Sequence, residues 1–273
     1  MKKVSTPIRT VINRPFIRTL VAMLLCAFTT LLVRVHTYDE PLEADESLYL
    51  LIIQELHHGG KLYVDGWENK PAGTFLAYDV ASRIFGLNHW MMKHLGTLCM
   101  AVAGALLILF VGQRLRFVTL LLLAVLWGML STTIGIHANG VNTEILMLPL
   151  LAAILLASWH CCKSGKMWGY WMAVILFGAL MSIKVVVYPV ALLFPLALPA
   201  KLLNHRQKAA ATLAGGAVLA IIVFLLPFVV YNVPLSTVLE VMKSGGQHAS
   251  KGDGPYIWRV LRDAMKWFVN KDQ

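Results

Sequence analysis

Acidic residues are scarce in this chain. It holds 14 Asp and Glu against 24 Lys and Arg, and charged residues make up only 14% of its 273 positions. With 58% hydrophobic residues and a mean hydropathy of +0.68, that is too little charge for an ordinary soluble domain, so the chain belongs in a bilayer. Cysteine is sparse as well. Cys26 and Cys99 fall in apolar stretches, while Cys161 and Cys162 are neighbours, so neither a disulfide framework nor a zinc spacing is present. The adjacent pair reads as apolar helix-end residues, or as a palmitoylation site in a eukaryotic host. Low-complexity tracts and short-period repeats are also lacking.

What the chain does have is long apolar runs. A spanning helix needs roughly 20 mostly apolar residues, and seven stretches qualify: about 16–35, 94–112, 117–135, 145–160, 167–183, 185–200 and 209–231. The fifth and sixth are divided at Lys184. The first follows Lys2, Lys3, Arg9 and Arg14 but is not followed by a small-residue cleavage site, so it reads as an uncleaved first span.

Charge placement tests this count independently, because cytoplasmic loops retain Lys and Arg. With the N-terminus inside, the inner segments 1–15, 113–116, 161–166 and 201–208 carry 11 basic residues and no acidic one. All 14 acids fall on the other side, nine of them between Asp39 and Asp79. The formal charge of +10 therefore marks inner ends near anionic lipid and not a nucleic-acid surface. The chain divides into a cytoplasmic N-terminus and first span (1–35), an outer loop (36–93), a bundle of six further spans (94–231) and an outer amphipathic tail (232–273). In the tail, 244–256 has the composition of a loop, and Trp258 and Trp267 mark an interfacial helix.

The outer loop carries two short surface helices. Asp45 is positioned to cap the first, which runs to His58 and stops at Gly59 and Gly60; the second begins at Pro71 and ends near Gly86. Lys70 precedes that second helix, where it would oppose the partial positive charge of the free N–H groups. A bound anion reverses the sign, so Lys70 with the N–H groups of Ala72 and Gly73 forms a candidate phosphate cradle. The plainer alternative is that Lys70 pairs with Glu68. His57 and His58 are adjacent on a helix and point apart, so a shared metal is not expected.

The stretch ADESLYLLIIQELHHGGKLYVDGWENKPAGTFLAYDVASRIFG, residues 44–86, resembles the first outer loop of the GT-C glycosyltransferases. Within them it is most similar to the bacterial relatives of dolichyl-phosphate-mannose protein mannosyltransferase and of the lipid A aminoarabinose transferase. The matching positions include Asp45 with Glu46, Tyr49, Tyr63, Asp65, Trp67, Lys70 with Pro71, Gly73 and Tyr78. NGVNTEILML, with Glu144, resembles a second outer acidic site, and GALMSIKVVVYPVALLFPL resembles a helix pair joined at a lysine, here Lys184. Two departures stand out. Ala72 replaces a second proline, and family members continue through further spans where this chain stops at Gln273, as a fragment or a short form would.

The resemblance implies an all-α, multi-pass membrane transferase in the plasma (inner) membrane. It would move a sugar from a polyprenyl-phosphate donor to an extracytoplasmic acceptor, with inversion. Asp45 would act as general base and Glu46 would orient the acceptor; Lys70 and Lys184 would hold the donor phosphate. Glu144, Tyr63, Asp65 and Trp67 would contact sugar or acceptor; His137, Asn139 and Asn142 are candidates for contact with sugar hydroxyls by their place in the short second outer loop alone, which their spacing does not establish. Beyond the donor no cofactor is implied, and a divalent metal is left open. The plainer readings are a helix cap for Asp45, a snorkelling anchor for Lys184, a solvated cap for Glu144 and loop shaping for Asp65 and Trp67. The alternative function is non-catalytic: a truncated transferase partner, or a transporter or flippase subunit for lipid-linked sugars.

Overall fold

A computed structural model describes residues 15–112, 114–132, 140–185, 187, 190–191, 194, 198–199, 202 and 205–250, the side chains of 245–250 excepted. Among these residues the regular structure is helical, with one isolated bridge between Leu62 and Gly66. Helix α1 is Pro15–Arg34 and runs into a 3-10 turn, Val35–Tyr38. Next come α2 (Ala44–His57), α3 (Ala72–Phe85), α4 (His89–Val111) and α5 (Phe117–Leu130). The remainder are α6 (Thr143–Ser164), α7 (Trp168–Ile183), α8 (Arg206–Val230) and α9 (Leu235–Ser250).

Four of these segments are long and apolar enough to cross a membrane: Pro15–Tyr38, His89–Val111, Thr143–Ser164 and Arg206–Val230. Two shorter apolar helices, Phe117–Leu130 and Trp168–Ile183, accompany them. Helix α5 ends five residues before the expected boundary at 135, and residues 185–200 lie largely outside the described chain. Large apolar side chains such as Phe16, Leu24, Val118, Leu122, Ile221 and Val229 project outward from α1, α5 and α8. So extensive an exposed apolar surface fits a membrane protein.

The helices pack in the order α5, α1, α4, α6, α7, α8. Small side chains let them approach closely. At Gly128, a Cβ atom would come within 2.5 Å of Thr29 Oγ1, whose hydroxyl also donates to Ala124 O across the α1–α5 contact. Helices α7 and α8 run in parallel: Tyr170 donates to Thr212 O near their beginnings, and Gly178 lies against Ala220 and Val223 farther along. The C-terminal end of α7 and the N-terminal end of α8 therefore lie at opposite ends of the bundle.

Local chemistry sets the helix ends. Asn88 caps α4 by accepting the Met91 N–H at 3.2 Å, and Gly165 closes α6 in the left-handed conformation with its N–H on Cys161 O. Helix α2 is capped by Glu43, two residues before the expected Asp45, through a capping box in which Glu46 accepts the Glu43 N–H. Asp45 thus lies inside the first turn. Pro71 is the cap of α3, with the helix starting at Ala72. In the tail, α9 continues helically to Ser250, where the composition predicts a loop from 244. Residues 251–273, with Trp258 and Trp267, lie outside the described residues.

Candidate functional site

One end of the bundle gathers the C-terminal ends of α1, α5, α7 and α8, the N-terminal ends of α4 and α6, and helices α2 and α3 laid among them. Arg34, fully buried at the end of α1, ties this end together. Its Nη1 donates to Ser131 O at 2.6 Å, its Nη2 to Gly140 O at 3.2 Å and its Nε to Thr97 Oγ1 at 3.1 Å. Residues 140–142, leading into α6, are also held by the Glu46 carboxylate on Val141 N, by Tyr78 on Val141 O and by Asn142 Nδ2 on Glu43 at 3.1 Å.

Adjacent helical residues face different ways, and Asp45 and Glu46 divide accordingly. Glu46 turns inward, fully buried, with its oxygens engaged by backbone N–H groups. The residue read as orienting an acceptor is thus a strut between α2 and the start of α6. Asp45 is exposed and, among the described residues, has only a long contact of 3.5 Å from the Tyr49 hydroxyl.

Tyr49 is the centre of the arrangement. Its ring is buried, stacked on Tyr78 at 5.2 Å and set edge-on to Phe75. Burial, followed by the negative charge of Asp45, Glu68 and Glu144, drives its pKa far above the ordinary phenol value. Carboxylates from α2, the loop before α3 and the start of α6 thus add to burial in disfavouring the phenolate, and the hydroxyl stays protonated and able to donate.

Two lysines accompany those carboxylates. Lys70 Nζ lies 3.8 Å from Glu68 and 3.4 Å from Asn69 Oδ1, the pairing that the sequence offered as the plainer alternative. Lys184 forms an ion pair with Glu144, whose other oxygen accepts the Thr143 hydroxyl. Both lysines are brought to this end by the junction of α3 with α7. Thr74 Oγ1 donates to Ile183 O at 2.9 Å, and a Cβ at Gly73 would lie 2.1 Å from Ser182 Oγ. Gly73, one member of the expected phosphate cradle, therefore also packs its Cα against α7.

The other loop residues shape the loop. Asp65 accepts the Lys61 N–H at 2.7 Å and closes the turn. Tyr63 has φ of 67°, a left-handed conformation that a non-glycine residue seldom adopts, and is held there by contacts. Its hydroxyl donates to Lys70 O at 2.7 Å, and its ring stacks over Phe228 and meets Phe75 and Trp67 edge-on. Trp67 is half exposed. Asn142 caps α6, while His137 and Asn139 lie outside the described residues.

A polar cluster not anticipated from the sequence lies beside a cavity of about 790 Å³. Asp79 on α3 meets His57 Nε2 at 2.8 Å, Arg83 at 3.2 Å on each oxygen and the Tyr231 hydroxyl at 3.4 Å. Burial alone would raise the Asp79 pKa, but hydrogen bonds from His57 and Arg83, with their charges, bring it below the ordinary value. Ser82 Oγ lies 3.2 Å from the same His57 Nε2 and donates to Asp79 O. Serine and aspartate on one imidazole nitrogen cannot relay a proton in the manner of a nucleophilic triad, which needs both ring nitrogens. The cluster is a clasp joining α2, α3 and the end of α8. Only its Asp79–Arg83 pair, spaced i,i+4, has a sequence signature.

Among the described residues, no three His, Cys, Asp or Glu side chains are grouped to hold a metal. No protein-family model matches this chain, and no curated protein or solved structure does either.

Proposed function

We propose that the chain is a membrane glycosyltransferase of the GT-C type, transferring a sugar from a polyprenyl-phosphate donor to an acceptor hydroxyl at the extracytoplasmic face. The observation that carries this reading is the gathering, at one end of the bundle, of the exposed Asp45 carboxylate and of the ion pairs Glu68–Lys70 and Glu144–Lys184. Asp45 is exposed, and among the described residues only one of its oxygens has a hydrogen-bond contact, which leaves the other to take a proton.

In this scheme the acceptor oxygen attacks the anomeric carbon as the carbon–oxygen bond to the donor phosphate breaks. The acceptor proton passes to Asp45, and one displacement inverts the anomeric centre. Negative charge builds on the departing polyprenyl phosphate, and Lys70 and Lys184 are the cations that meet it. Each lysine is held by a glutamate, so donor binding must exchange a carboxylate for a phosphate. The Tyr49 hydroxyl lies 3.5 Å from the Asp45 carboxylate, at the outer limit of a hydrogen bond.

The charge asymmetry of the loops supports an extracytoplasmic position for this end, and the parallel course of α7 and α8 supports a seventh crossing between them. The test is transfer of labelled sugar from a polyprenyl-phosphate donor in membranes containing the full chain. Asp45→Asn is expected to lower the rate by about 10²- to 10⁴-fold, the range for loss of a general base. Equal rates for wild type and variant would overturn the proposal.

A further inference from the structure

The end of the bundle away from Asp45 holds a second cavity, of about 560 Å³, between α4, α6 and α7. Its walls are apolar, formed by Leu109 of α4, Leu156 of α6 and Met172 and Leu176 of α7. Its rim is different in kind: His160, Lys163, Trp159 and Trp168. The Arg114 guanidinium stacks over the Trp159 ring, 3.8 Å from its centre, and lies 5.4 Å from that of Phe110; both rings line the cavity.

Stacking on an aromatic face fixes a guanidinium while leaving its in-plane N–H edges for an anion. Among the described residues neither Arg114 nor Lys163 forms an ion pair, and 114–116 and 161–166 contain no acid that could provide one. The rim is thus basic without compensation. Trp159 and Trp168, each about half exposed, are the residue type that settles where hydrocarbon meets headgroups.

We infer that this cavity binds an anionic membrane phospholipid, with Arg114 and Lys163 on its phosphate and an acyl chain along Leu109, Leu156 and Leu176. The division into an apolar wall and a cationic rim matches the two halves of such a molecule, and the net charge of the rim selects an anionic headgroup over a zwitterionic one. His160 lies about 24 Å along α6 from Glu144 at the usual helical rise, so this site is separate from the Asp45 cluster.

The experiment uses the full chain in detergent, with native mass spectrometry and the thermal unfolding midpoint as readouts. Phosphatidylglycerol, phosphatidylcholine and inorganic phosphate are compared. Phosphatidylglycerol is expected to remain bound and to raise the midpoint by roughly 4 °C at saturating concentration, with at least about tenfold weaker binding in Arg114→Gln/Lys163→Gln. Leu156→Trp fills the apolar wall without touching the rim and is expected to weaken binding as well. It keeps the test informative if the double variant fails to fold. Equal retention of phosphatidylcholine, equal protection by inorganic phosphate, or unchanged phosphatidylglycerol binding in both variants would each overturn the inference.

Discussion

At the residue scale, Asp79 and Arg34 show how polar groups hold this end of the bundle. The folded pKa of Asp79 lies below its ordinary value of 3.8, so its contribution to stability is present above about pH 4 and is lost as pH falls through the folded value. Unfolding midpoints measured from pH 7 to pH 3 should fall for wild type and fall less for Asp79→Asn, which starts lower. Arg34 makes a sharper case. Replacing it with Met leaves Ser131 O and Gly140 O without their donor and removes a positive charge that acts on the buried Glu46, so a loss of about 3–5 kcal/mol is expected in detergent unfolding. Arg34→Lys should recover only part of it, because an ammonium cannot span three acceptors held in a planar fork.

At the scale of elements, the junction of α3 with α7 fixes the spacing of Lys70 and Lys184. Gly73→Ala drives a methyl group into Ser182 and should cost about 1–3 kcal/mol, read as a lower unfolding midpoint. Adding Ser182→Gly should give only partial relief, because the Ser182 carbonyl also lies 2.5 Å from the new Cβ. Much of this level was legible in the sequence. Apolar runs and caps are local properties, and α2 and α3 begin within two residues of where Asp45 and Pro71 place them. The inward turn of Glu46 was not legible, since its partner Val141 lies 95 residues away in a segment with no regular pattern. Nor was the reach of Tyr231 to Asp79 across 152 residues. Hydrophobic periodicity announces which face is buried; it does not say which polar group meets which.

For the whole molecule, the charge pattern and the packing tell one story from different directions. Glu144 and the acids of 39–79 gather at the end where α1, α5, α7 and α8 finish, while Arg114, Lys163 and Arg206 lie at the other. Helices α7 and α8 end together. The proposed chemistry rests on this sorting, because it brings the exposed Asp45 carboxylate and two lysines from distant parts of the chain to one end of the bundle. The most direct measurement is the anomeric configuration of the product formed from labelled polyprenyl-phosphate sugar by the full chain in membranes. Wild type should yield an inverted product and Asp45→Asn next to none. A product of retained configuration, or one formed as fast without the Asp45 carboxylate, would contradict the account.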